Sequence, residues 1–253
     1  MKKYIFVLLC LLALPNMLSA QSDLRIRNHN LIFNAELNTG NVYSFAASSV
    51  VTGLMNYYLL KDDFFENSFV YSFYQTDIDG MKIRAKNPQG LAAYELFNNL
   101  QGGIKIGYQT YRPEFFNFGV YASGHYKLEQ FDVEENSLKS KHQIQRVLCG
   151  ATALLSLGSM EQASRVIIEA GLRYSIGVKY ESPWGNDKSM LNNGLVSHFA
   201  IKVASRGMMQ NLGLFADIGH FDLFKNLGSN QKVRDYVIGF TWTITPQQAD
   251  DRR

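Results

Sequence analysis

Catalytic groups must converge, so the histidines, carboxylates, hydroxyls and thiols are the first residues to place. His220 and Asp222 lie two residues apart and share one face of any strand, as a base and its orienting acid would. They fall at the outer end of a segment, on the parity of Leu212, Leu214, Ala216 and Ile218, which favours a solvated rim pair. The aspartate pairs Asp62-Asp63 and Asp250-Asp251 imply no shared geometry. Asp77-Ile78-Asp79-Gly80 opens like a calcium loop but lacks the acidic residue that should close it. Gln101-Gly102-Gly103 lacks the strand-to-helix setting of a phosphate loop. No catalytic residue, cofactor or metal site is therefore expected.

The charged side chains with the clearest common pattern lie on strand-like segments. Between Ser164 and Tyr180, the positions Val166, Ile168, Ala170, Leu172, Tyr174, Ile176, Val178 and Tyr180 share one parity. Arg165, Glu169, Gly171, Arg173, Ser175, Gly177 and Lys179 share the other, with Ile167 the apolar exception. Alternation of this length is about three times that of an ordinary strand of five to six residues. It suits a strand with lipid outside and a polar interior inside. The same parity rule sends Lys105, His125, Lys127, Glu129, Arg146, Arg165, Glu169, Arg173, Lys179, His198, Lys202, Asp217 and Asp235 inward. Charges so enclosed need partners, so they are expected to form an ion-pair network that fills and fixes the interior. A narrow basic ion path is the functional alternative.

The amino terminus carries Met1-Lys2-Lys3, an apolar run from Tyr4 to Leu14, and Leu18-Ser19-Ala20 before Gln21. That is the form of a secretory signal peptide cleaved after Ala20. Removing Lys2 and Lys3 from the 25 Lys and Arg residues leaves 23, against 22 Asp and Glu, so the basic balance implies no nucleic-acid partner. Cys149 would be the remaining cysteine, which excludes an intrachain disulfide and a cysteine metal cluster.

Further alternating segments are predicted at 67–75, 103–111, 116–129, 140–157, 195–206, 211–224 and 234–245, making about eight strands with the one above. Loops near 112–114, 158–162 and 207–210 are short, and those near 132–139, 182–194 and 225–233 are longer. Asp77 to Leu100 would be the largest outer loop. Pro88, Pro113, Pro183 and Pro246 all fall outside the strands, as ladder geometry requires. The expected fold is thus all-β, an antiparallel transmembrane β-barrel over 67–245 with a polar tail at 246–253. The segment 21–66 is an amino-terminal extension with two readings. Leu31 to Leu37 and Val42 to Phe45 resemble a hairpin, which would give ten strands, while Val42 to Leu60 also reads as a helix against or inside the barrel.

With its leader, its long alternating strands and its alternating loop lengths, the chain resembles the small outer-membrane β-barrel proteins of Gram-negative bacteria, porin-like barrels of the OmpA/OmpX type. The resemblance implies an outer-membrane location, surrounding lipid as partner and an interior filled by side chains. It departs at the carboxy terminus, where the chain runs past the aromatic face of Tyr236 to Ile244 to Arg253. Outer-membrane lipid hydrolases carry a histidine two residues before a serine on one strand face. Here the residues two after His29, His125, His142, His198 and His220 are Leu31, Lys127, Ile144, Ala200 and Asp222. The expected role is therefore non-enzymatic: structural, adhesive or partner-docking, through the outer loops. The alternatives are an accessory subunit of a secretion or surface-assembly machine contacting an envelope protein, and a lipid-acting enzyme around His125 and Glu129 or His198.

Overall fold

The computed structural model describes residues 31–55, 65–73, 75–78, 81–85, 100–110, 116–158, 164–183, 185–186, 190–205, 209–225 and 233–244. The expected signal peptide at 1–20, the expected tail at 246–253 and most of the short loops expected near 112–114, 158–162 and 207–210 lie outside these residues. The described strands are β1 (Leu31–Thr39), β2 (Phe65–Phe73), β3 (Gln75–Ile78), β4 (Met81–Ala85), β5 (Leu100–Gln109), β6 (Phe116–Glu135), β7 (Leu138–Leu157), β8 (Ser164–Ser182), β9 (Gly185–Asn186), β10 (Gly194–Ser205), β11 (Met209–Gly219) and β12 (Tyr236–Ile244). One helix, α1 (Val42–Met55), lies between β1 and β2.

These strands form a single sheet that closes on itself in the order β6-β5-β1-β2-β12-β11-β10-β8-β7, with β7 returning to β6. Closure removes the free edges that an open sheet exposes. Each strand expected from periodicity has a counterpart in this barrel-like ring. Among the described residues the ring nevertheless has nine members, an odd number, because β1 is wedged between β2 and β5. β1 runs parallel to β2, with Glu36 opposite Glu66, and antiparallel to β5, with Glu36 opposite Gly103. Above Thr39 the wedge ends, and β3 pairs directly with β4, which continues onto the upper part of β6.

The parallel β1–β2 pair requires a crossover, which α1 supplies. Asn41 starts the helix: its side-chain oxygen accepts from the backbone N–H of Tyr43 at 2.8 Å and of Ser44 at 3.4 Å. The expected second hairpin strand at Val42 to Phe45 is therefore helical. α1 lies on the outer wall, where Phe45 meets Phe69 and Phe240 at ring-centroid distances of 6.1 and 5.0 Å. The amide of Asn67, a residue of outward parity, donates to Phe45 O at 3.1 Å and Ser49 Oγ at 2.8 Å, clamping the helix to β2.

The expected long loop at 132–139 is absent. β6 and β7 instead continue, paired from Phe116↔Leu157 to Glu135↔Leu138, to a two-residue turn. Asn136 and Ser137 take φ of 49° and 68°, the left-handed pair of a type I′ turn whose twist matches the flanking strands. Left-handed backbone costs a non-glycine residue about 1–2 kcal/mol. Ser137→Gly is therefore expected to raise the urea midpoint by the equivalent of about 1 kcal/mol, and Ser137→Val to lower it.

Candidate functional site

Alternate residues of every ring strand point inward, and the enclosed set is strongly charged. Lys105, His125, Lys127, Glu129, Arg146, Glu169, Arg173, His198, Lys202, Asp217 and Asp235 are all buried. Arg165 shares the inward parity of β8 and is half-buried. Lys179 departs from the expected set. β8 has a bulge, pairing Gly177 with Arg146 but Lys179 with Gln145, so Val178 is extra and the parity reverses. Lys179 consequently faces outward and pairs with Glu181, while Tyr180 turns inward.

Glu36 and Glu66 complete the network from β1 and β2, a region where parity could not be assigned from the sequence. Lys105 contacts Glu36, and its Nζ lies 3.7 Å from Glu66 and 3.9 Å from Glu169. Lys202 Nζ reaches Glu66 at 2.9 Å and Glu169 at 3.2 Å. Tyr121 donates its hydroxyl to Glu169 at 2.8 Å. His198 sits between carboxylates, with Nδ1 2.6 Å from Asp217 and Nε2 3.4 Å from Glu169, and Asp217 also accepts from Arg173 at 3.2 Å. Glu169 is the hub, because these contacts bring it two lysines, an imidazole and a phenol.

His125 Nε2 lies 2.7 Å from Glu36. This contact depends on Gly103, directly opposite on β5, because a Cβ there would lie 2.1 Å from His125 Cδ2. Gly103→Ala is expected to displace the imidazole and cost about 1–3 kcal/mol as polar partners are lost. Gly124→Ala, where an added Cβ meets nothing within 4 Å, should leave the unfolding midpoint unchanged.

Higher in the ring, Lys127 bridges Asp235 at 2.5 Å and Glu129 at 2.9 Å. Arg146 donates to Ser175 Oγ at 2.7 Å and Asn192 O at 2.6 Å, with its guanidinium 5.0 Å from the Phe221 ring centroid. Ile83, Phe131, Val133, Ile144, Leu191, Leu223, Phe224 and Val233 form an apolar plug on this side. The cavity lined by Glu36, Lys105, Arg173, His198 and Lys202 measures about 10 Å³, room for roughly one water. Among the described residues, five buried Lys and Arg side chains, Lys105, Lys127, Arg146, Arg173 and Lys202, face six buried carboxylates, Glu36, Glu66, Glu129, Glu169, Asp217 and Asp235. His125 and Glu129 are held by different partners, Glu36 and Lys127, and both ring nitrogens of His198 face carboxylates.

Neither a protein family, nor a curated protein, nor a solved structure matches this chain.

The outer face has the opposite character. On β6 it reads Phe116, Phe118, Val120, Ala122, Gly124, Tyr126 and Leu128, with charge beginning at Asp132 and Glu134. On β7 it reads Val147, Cys149, Ala151, Ala153, Leu155 and Leu157, with Lys139 and Lys141 above. Ten residue steps at about 3.3 Å, tilted by about 40°, make a belt about 25 Å tall. Leu172, Phe199, Ile201 and Leu214 expose 56, 52, 53 and 61 % of their surface in this belt. Tyr126, Tyr174, Phe73 and Tyr236 mark its upper edge, and Tyr108, Phe116 and Phe118 lie toward the opposite rim.

Above the belt, two further histidines meet hydroxyls. His142 Nε2 lies 2.7 Å from Ser140 Oγ and its Nδ1 lies 2.6 Å from Tyr180 OH. Burial lowers the His142 imidazole below its ordinary range against the opposing pull of Asp132, and burial pushes the Tyr180 phenol up to about 12. At the end of β11, His220 Nε2 lies 2.7 Å from Ser197 Oγ. Serine partners were missed because Ser140 precedes its histidine and Ser197 stands on the neighbouring strand.

Proposed function

We propose that the chain is a membrane-inserted barrel of the bacterial outer membrane, a rigid body that presents its outer hairpins to a partner in the envelope. The inverted polarity of the wall carries this reading: side chains pointing into the ring are charged and paired, while those pointing out form a continuous apolar belt with aromatic edges. A water-soluble domain rarely exposes apolar patches beyond a few hundred Å². The hydrogen-bonded ring also satisfies the backbone that lipid cannot solvate.

The ion network and the apolar plug give the interior a structural role. Reconstituted protein is expected to show no step conductance in planar bilayers. The docking surface is the part that outruns the belt, formed by β3, β4 and the upper ends of β6, β7 and β8. Shortening β6 and β7 symmetrically from Asp132 to Lys141 should abolish envelope partner capture while the protein still folds; undiminished capture would refute the docking role.

A second reading, as an accessory subunit of a surface-assembly machine, is favoured by α1. The helix carries no charged residue and exposes Val42, Tyr43, Val50, Val51 and Leu54 on the outer wall. A photocrosslinker at Val50 should then capture a larger membrane protein; capture of lipid alone would remove this reading.

A further inference from the structure

We propose that Ser197 and His220 form a hydrolytic dyad on the outer wall, acting on the carboxylic esters of bilayer lipids. This goes beyond the docking role and rests on the membrane reading. Ser197 belongs to the outward row of β10, otherwise Leu195, Phe199, Ile201 and Val203. Its register partners are Leu172 on β8 and Ile218 on β11, so the hydroxyl is set among apolar outward side chains. β11 ends at Gly219, and the His220 N–H then donates to Leu195 O at 2.8 Å. That bond brings the exposed imidazole to Ser197, with Nε2 2.7 Å from Oγ, within the reach of a general base for its nucleophile.

Height in the wall selects the substrate class. Leu195 pairs with Tyr174, and Ile218 pairs with Tyr236, whose ring stacks on Phe73 at 5.6 Å. Ser197 is thus level with the upper aromatic edge, the depth of the headgroup interface. A lipid ester reaches it sideways from the bilayer without entering the filled interior. A simple satisfied surface hydroxyl would need no base there, since water is available at that depth.

In the reaction, Ser197 Oγ attacks the acyl carbonyl carbon as His220 Nε2 takes the hydroxyl proton. The bond from that carbon to the glycerol oxygen breaks, and the alcohol leaves with the proton from His220. Water, deprotonated by His220, then attacks the acyl-Ser197 ester, and its proton returns to Ser197 Oγ as the fatty acid departs. Asp222 makes no hydrogen bond to His220, although one of its carboxylate oxygens is buried without a partner. Turnover is therefore expected to be slow, and covalent capture is the sensitive readout.

The test uses the full chain folded in detergent micelles, with folding of each variant checked by heat-dependent gel mobility, and a long-chain fluorophosphonate as probe. Mass spectrometry should locate the label on Ser197. Ser197→Ala should abolish that label, and His220→Gln should slow labelling about 100-fold or more, as loss of a general base does. Phosphatidylethanolamine vesicles should then release fatty acid with the parent protein and not with Ser197→Ala. A folded protein that takes no label, or takes it equally after Ser197→Ala, overturns the dyad. Label on Ser140 would move the chemistry to the rim and also overturn it. A soluble protein with no mobility shift overturns the membrane reading and the lipid substrate together, whereas a shifting but unlabelled protein overturns the dyad alone.

Discussion

Glu169→Ala is expected to destabilise the folded protein by about 3–5 kcal/mol, the cost of leaving buried charge uncompensated. The carboxylate is buried and lies within 3.9 Å of Lys105, 3.2 Å of Lys202, 3.4 Å of His198 and 2.8 Å of Tyr121. Its removal leaves Lys202 with Glu66 and Lys105 with Glu36 and Glu66, so two carboxylates must serve two ammonium groups and His125. Glu169→Gln retains an oxygen for Tyr121 and should cost less. Glu169→Leu combined with Lys202→Met removes opposite charges together, and a double-mutant cycle should return a coupling of about 0.5–3 kcal/mol. Urea unfolding of the four proteins provides the values; additive effects would mean that the network does not hold the ring.

Ile201→Arg tests the wall from its other side. Ile201 is 53 % exposed and pairs with Leu214, itself 61 % exposed, in the middle of the apolar belt. A surface substitution facing water changes stability by about 0.5 kcal/mol or less. A cationic side chain facing hydrocarbon costs about 2–4 kcal/mol at mid-depth. The larger loss in vesicles is expected at Ile201 and almost none for Leu138→Arg, which is 77 % exposed at the outer turn. Equal, small effects at both positions would place the belt in water.

Much of the ring was legible because strand periodicity is local. Val166 to Val178 on one parity and Glu169, Arg173 and Ser175 on the other report the two faces of β8 without any knowledge of its neighbours. What failed depends on contacts distant in sequence. Leu31 to Leu37 alternates like any hairpin strand, and nothing in it specifies insertion beside β2. Val42-Tyr43-Ser44-Phe45 has strand-like composition, and its helical state is held by the Asn41 cap and by Asn67, 22 residues after Phe45. Without β1 and α1 in place, the inward direction of Glu36 and Glu66 was hidden, so two network acids were missed. Lys179 failed for a different reason: one extra residue at Val178 reverses every later parity. Ser197 on β10 meets His220 just past the end of β11, a relation fixed by the register Ser197↔Ile218 and by no spacing along the chain.

A closed ring with lipid outside and charge inside is open to a decisive check, the gel mobility of the protein from carbonate-washed outer membranes, with and without boiling. A closed ring in lipid should remain in that fraction and resist detergent unfolding until heated, giving a compact fast-migrating band that shifts on boiling. Recovery in the soluble fraction, with one mobility under both conditions, would contradict it.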